Sequence, residues 1–263
     1  MNFFFNLNPL IQTLIATFFT FSVTSLGAAI VFFFKKVNKN VLDAMLGISA
    51  GIMIAASFFS LLNPAITMSS NLNMKVWLVL FIGFTLGGIL LYLIDKVCDK
   101  ALSKTNKKSS LKRCLMLIIS ITLHNIPEGM AIGVAFGSTI YHIEGSSAMS
   151  AFILALGIGI QNFPEGSAIS LPLRREGYSI KKSFFFGCLS GIVEILSGII
   201  GYLLVLKMRI LLPYLLSFAA GAMIYVVIEE LVPESQTNEK KDLMALFTLL
   251  GFSIMMILDV ALG

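Results

Sequence analysis

Long apolar runs separated by short polar connections make up nearly the whole chain. Eight runs stand out, at about Pro9 to Phe34, Val41 to Leu62, Val76 to Ile94, Cys114 to Phe136, Ala148 to Leu173, Ser183 to Leu206, Ile210 to Val232 and Leu243 to Leu262. Each holds about twenty residues or more, enough at about 1.5 Å per residue to cross a hydrocarbon core of about 30 Å. Inside lipid a segment must satisfy its own backbone hydrogen bonds, so runs of this length predict helices. The pattern therefore predicts an all-α polytopic membrane protein with eight transmembrane helices. Residues 1–263 read as a single integral membrane domain, with a polar loop at about 95–113. The second run stops at Asn63-Pro64, which predicts a helix end there.

Charge orients the runs. Only 13% of the 263 residues are charged and 57% are hydrophobic, with a mean hydropathy of +0.91. A soluble domain carries about 25% charged residues. The net charge of +5 does not point to nucleic acid, because the basic residues sit between the apolar runs. Lys35, Lys36, Lys39, Lys96, Lys100, Lys104, Lys107, Lys108, Lys112, Arg113, Arg174, Arg175, Lys181, Lys182, Lys240 and Lys241 fall on one set of connections. The other side holds only Lys75, Lys207 and Arg209. The positive-inside rule puts the first set in the cytoplasm and both termini outside the cell membrane. No basic stretch precedes the first run, so it reads as a retained span and not a cleaved signal peptide. Lys104 to Lys108 serve topology first and contact with anionic lipid second. Cys98, Cys114 and Cys188 have no metal or redox spacing and read as packing residues.

Two of the runs carry matching polar insertions. His124-Asn125-Ile126-Pro127-Glu128-Gly129 and Gln161-Asn162-Phe163-Pro164-Glu165-Gly166 align at an offset of 37. Consecutive spans run antiparallel, so the pair is inverted. The second and seventh runs also match, Ala50-Gly51-Ile52-Met53-Ile54 against Ala220-Gly221-Ala222-Met223-Ile224, and they too run antiparallel. Together the matches suggest an inverted arrangement of three, two and three spans. Inverted repeats with Pro- or Gly-interrupted segments point to a mid-membrane transport site.

The inserted residues form a donor set. Residues four apart share a helix face, as do those three apart. His124 and Glu128 are so related, as are Gln161 and Glu165, with Asn125 and Asn162 three before each Glu. Pro127 and Pro164 each release a backbone carbonyl one turn earlier. Glu194, mid-way along the sixth run, falls at the same depth. Ionisable residues at that depth are costly and mark function. Three carboxylates together repel unless protonated or bridged by a cation. One divalent ion leaves about one negative charge, and two leave about one positive. Imidazole with carboxylates suits zinc, iron, manganese or cobalt. Met53, near mid-depth in the second span, is either a packing residue or a soft thioether donor. Glu229, Glu230 and Glu234 either line an exit or are solvated at the interface. His142 and Glu144 lie on an external connection, where metal capture competes with an ordinary polar loop.

This paired motif resembles the signature of the ZIP (Zrt/Irt-like) divalent-metal transporters, the prokaryotic ZupT/GufA-like branch in particular, and the resemblance covers essentially the whole chain. It implies a transporter that moves zinc, or iron, manganese, cobalt or cadmium, into the cytoplasm. It implies metal ligands at His124, Asn125, Glu128, Gln161, Asn162, Glu165 and Glu194, with Met53 contributing, and Glu128 and Glu165 able to bridge two ions. The metal is then transported substrate, not cofactor, and the chain is not an enzyme. A homodimer in the lipid bilayer and an elevator-like motion of one helix bundle against another follow by the same resemblance. The fifth span departs from many eukaryotic relatives, which carry His-Glu-x-Pro-His-Glu where this chain has Gln161, Asn162, Glu165 and Gly166. The connection before the fourth span holds no His, which speaks against a metal-sensing loop. Two rival readings remain distinct by experiment: a proton- or ion-conducting protein with the carboxylates as relay, and an intramembrane metallohydrolase. The latter wants two His four apart with a Glu base, and His124 has Glu128 at that place.

Overall fold

The computed structural model describes residues 2–33, 38–103, 109–141, 146–207 and 209–262, and all regular secondary structure in them is helical. The long helices are α1 (Pro9–Ala28), α2 (Lys39–Ala56), α3 (Val76–Ser103), α4 (Ser109–Ser138), α5 (Ala148–Arg175), α6 (Ile180–Lys207), α7 (Leu212–Val226) and α8 (Lys241–Leu262). Among the described residues six stretches are long and apolar enough to cross a membrane. They contain α1, α2, α3, α6, α7 and α8. The other two long helices, α4 and α5, carry the paired motif. Local signals set several starts. Asn8 Oδ1 accepts the Leu10 N–H at 2.9 Å ahead of Pro9, and Ser147 Oγ accepts the Ser150 N–H at 2.9 Å at the start of α5.

Two expected boundaries move. Pro64 does not end the second span. After α2 the chain widens into a π-helical segment, Ser57–Leu62, and resumes as an α-helix over Asn63–Asn71. The Asn63 N–H bonds Phe58 O, five residues back, and Pro64 then sits in the first turn of the renewed helix. There its missing N–H leaves no bond unmade. The same device recurs after α7: Val227–Leu231 is π-helical, Val232 bonds Val227 O, and Pro233 opens the turn Val232–Ser235. The polar stretch after Ile94 is also not simply a loop. α3 runs on to Ser103 and α4 begins at Ser109, so both continue past the apolar run as polar, basic turns. Residues 104–108, with Lys104 to Lys108, lie outside the described residues, as do His142 and Glu144.

The helices pack in two groups. α4 lies along α6 and α1 along α5, with α1 and α6 also in contact. Separately, α3 lies along α7 and α2 along α8. The groups meet where α2 touches α5 and where α7 touches α4. Within the second group Gly51 and Gly221 take equivalent places. A Cβ on Gly51 would overlap the Thr248 carbonyl of α8, and one on Gly221 would overlap the Phe84 carbonyl of α3. Only a residue without a side chain lets the helices approach so closely. Polar ties fix α2 to α8 and its approach at both ends. Ser60 Oγ donates to the Asp259 carboxylate at 2.8 Å, and Asn238 Nδ2 donates to Asp43 Oδ2 at 2.8 Å. Trp77, Phe81, Leu90 and Leu93 of α3 and Leu246, Leu249 and Ile257 of α8 are exposed.

Candidate metal centre

The motif residues meet inside the first group. α4 and α5 continue as helices through Pro127 and Pro164. Asn125, Glu128, Gln161, Asn162 and Glu194 are fully buried, and Glu165 is 3% exposed. Burying so many polar groups requires partners. Those partners are largely one another. Gln161 Nε2 donates to Glu128 Oε1 at 2.5 Å, joining α5 to α4. Asn162 Nδ2 donates to Glu194 Oε1 at 2.9 Å, joining α5 to α6. Asn125 Nδ2 donates to the Ser190 carbonyl at 2.8 Å, joining α4 to α6. Each amide is thus held by its NH2 end. Ser49 Oγ of α2 donates to the Gln161 backbone carbonyl at 3.2 Å.

What remains unpaired is all oxygen. Asn125 Oδ1, Glu128 Oε2, Gln161 Oε1, Asn162 Oδ1, Glu165 Oε2 and Glu194 Oε2 are buried with no hydrogen-bond partner. Orphaned acceptors in this number are rare in a native interior and call for a reason. Glu128 lies within electrostatic range of Glu165 and Glu194, and Glu165 within range of Glu194 and Glu230. Acceptors left bare in this way are the kind that a bound cation takes as partners. Among the described residues no three His, Cys, Asp or Glu side chains close into a ready cage. The donor set is instead mixed, three carboxylate and three amide oxygens.

The motif glycines make the arrangement possible. A Cβ on Gly129 would overlap the Glu194 carbonyl, and one on Gly166 would overlap the Thr24 carbonyl. Each Glu-Gly pair therefore brings its helix backbone against the helix that carries the next polar group.

The structure places the expected residues unevenly. Glu128, Gln161, Asn162 and Glu194 are linked pairwise by hydrogen bonds, and Asn125 is tied to α6 beside them. Glu165 is buried in the same region. His124 is in α4, but its side chain lies outside the described residues. Met53 is buried in the apolar core, and its carbonyl accepts Ser57 Oγ at 2.7 Å. Glu229 is exposed and Glu230 half-buried in the π segment after α7. α1 forms where its apolar run predicts, but its threonine face was not among the expected site residues. Thr13, Thr17, Thr20 and Thr24 are all fully buried, and Thr24 reaches Glu194. Their spacing of three and four residues was the available signal.

Comparison with known proteins finds relatives along nearly the whole chain. The family model described as "ZIP Zinc transporter" matches residues 101–259. "Zinc transporter ZIP11" of Bos taurus is 36% identical, over 97% of this chain and 98% of its own. "Zinc transporter ZIPB" of Bordetella bronchiseptica is 33% identical over 92% of this chain and 79% of its own. "Zinc transporter ZupT" of Streptococcus mutans is 35% identical over 88% and 90%.

Proposed function

The chain belongs to the ZIP zinc transporter family, and from that premise we propose that it carries divalent metal ions into the cytoplasm through the buried site on α4, α5 and α6. It is a multi-pass membrane transporter and not an enzyme, and the metal is its substrate. The observation that carries the site is the set of six buried oxygens without hydrogen-bond partners. Three of them are carboxylate oxygens, so a fully ionised, empty site would hold three negative charges in a medium that screens poorly. One divalent ion reduces this to about one negative charge, and a second reverses the sign. Either state suits the membrane interior better than the empty one.

The amide ends direct the chemistry. Asn125, Gln161 and Asn162 spend their donors on protein and keep their carbonyl oxygens for the ion. Glu128 and Glu194 spend one oxygen each on those donors and keep the other. With His124 supplying a nitrogen, the set matches zinc and accommodates manganese, iron, cobalt or cadmium. Met53 would add a thioether from α2.

The whole of residues 1–263 forms one membrane domain in this reading, with α4 and α5 crossing alongside the six apolar spans. The order is three, two and three helices, the last three repeating the first three upside down. The matched π segments before Pro64 and Pro233, and the equivalent glycines Gly51 and Gly221, support that repeat. The basic connections face the cytoplasm of the cell, and two copies associate in the bilayer. The two helix groups move against each other to expose the site alternately.

Flux into liposomes tests the proposal. Protein reconstituted at controlled pH and voltage takes up zinc, and Glu128→Ala or Glu165→Ala each abolishes uptake. Wild-type uptake in both variants, or proton flux that needs no metal, would overturn the site.

A further inference from the structure

Thr24 of α1 stands at a junction that the motif alone does not account for. Its side chain is fully buried. Its Oγ1 lies 3.1 Å from the Thr20 carbonyl and 3.3 Å from Glu194 Oε1. One hydroxyl proton therefore faces two acceptors, of which a carboxylate that carries its charge is the stronger. Glu194 Oε1 also accepts Asn162 Nδ2 at 2.9 Å. These two donors fall on the same oxygen, Oε2 stays bare, and Thr20, four residues earlier on α1, also acts on the Glu194 carboxylate.

The surrounding backbone keeps this contact in register. A Cβ on Gly191 would lie 3.2 Å from Thr24 Cβ and 3.3 Å from Glu194 Oε1, so glycine leaves the room in which the two side chains meet. The Thr24 carbonyl fills the space that a Cβ on motif residue Gly166 would need. Thr24 thus meets α5 through its backbone and α6 through its side chain.

We propose that Thr24 is a positioning residue: its hydroxyl, with the Asn162 amide, holds Oε1 of Glu194 so that Oε2 is presented to the transported cation. The proposal rests on the metal-transport reading above. Second partners of this kind orient ligands without touching the metal, and losing one weakens affinity by about 10- to 100-fold.

The bland account is packing, because the Thr17 and Thr24 side chains also lie against Gly198 and Gly191. Substitution separates the two. Thr24→Val keeps the branched shape and removes the hydroxyl, and Thr24→Ser does the reverse. Zinc affinity is measured by calorimetry on purified protein in nanodiscs, thermal stability without zinc is measured beside it, and liposome flux gives KM and maximal rate. Thr24→Val is expected to weaken zinc binding and raise KM about tenfold, with metal-free stability unchanged, while Thr24→Ser stays near wild type. If Thr24→Val does not fold, Thr24→Ala must show the same loss. Affinity within about twofold of wild type without the hydroxyl, or Thr24→Ser as impaired as Thr24→Val, would overturn the proposal. Glu194→Gln is measured alongside. If it binds and carries zinc as wild type does, the metal-site reading itself fails. If it loses zinc while Thr24→Val does not, only the role of Thr24 fails.

Discussion

At the scale of single residues, small side chains decide what the large polar ones can do. Gly166 lets α5 approach α1 until its missing Cβ would overlap the Thr24 carbonyl. Adding a methyl group there forces one of the two backbones to move, a strain of about 1–3 kcal/mol. Gly166→Ala is therefore expected to lower the midpoint of thermal unfolding, read by fluorescence-detected size exclusion, and to reduce zinc uptake through the displaced Glu165. The acidic and amide residues were legible in the sequence because each breaks an apolar run. Thr24 was not. Its hydroxyl bonds a carbonyl of its own helix, so it barely disturbs hydropathy. Only the repeat of Thr13, Thr17, Thr20 and Thr24 along one face betrays the stripe, and that pattern reads equally as packing.

At the scale of elements, run length found the long helices and misjudged two of their ends. Asn63-Pro64 looks like a stop, since proline in a helix interior removes a bond and clashes one turn back. The π segment absorbs both effects by shifting the bonding from four residues back to five before the proline arrives. Proline's penalty is thus already met at this position. Pro64→Ala is expected to change thermal stability little, within a few degrees, whereas Ala56→Pro, in the regular part of α2, costs about 3 kcal/mol or more. Thermal melts of the two purified variants give the comparison. The extension of α3 past Ile94 escaped because helix propensity continues where apolar character stops. Residues such as Asp95, Lys96 and Lys100 suit an exposed helical turn as well as they suit a loop.

At the scale of the whole molecule, the basic residues predict an orientation and the glycines fix grouping. The orientation is checked by impermeant maleimide on intact cells, in a background with Cys98, Cys114 and Cys188 changed to Ser. Lys75→Cys is expected to react from outside, and Glu176→Cys only after the cells are opened; both positions are exposed. The reverse pattern would invert the topology and the direction of uptake. Hydropathy did not separate the helices into two groups, because the apolar spans of both look alike. Close approaches of glycines to a neighbouring backbone do separate them, since these join helices within a group. Against that background the bond from Ser49 Oγ on α2 to the Gln161 backbone carbonyl on α5 has a particular standing, because it crosses from one group to the other beside the buried motif side chains. The sliding of the groups proposed above would first have to unlatch it, at a net cost of about 0.5–1.5 kcal/mol. Loosening that catch with Ser49→Ala is expected to speed turnover up to about tenfold while leaving equilibrium zinc affinity alone, so the same serine would throttle the pace of transport without choosing its cargo.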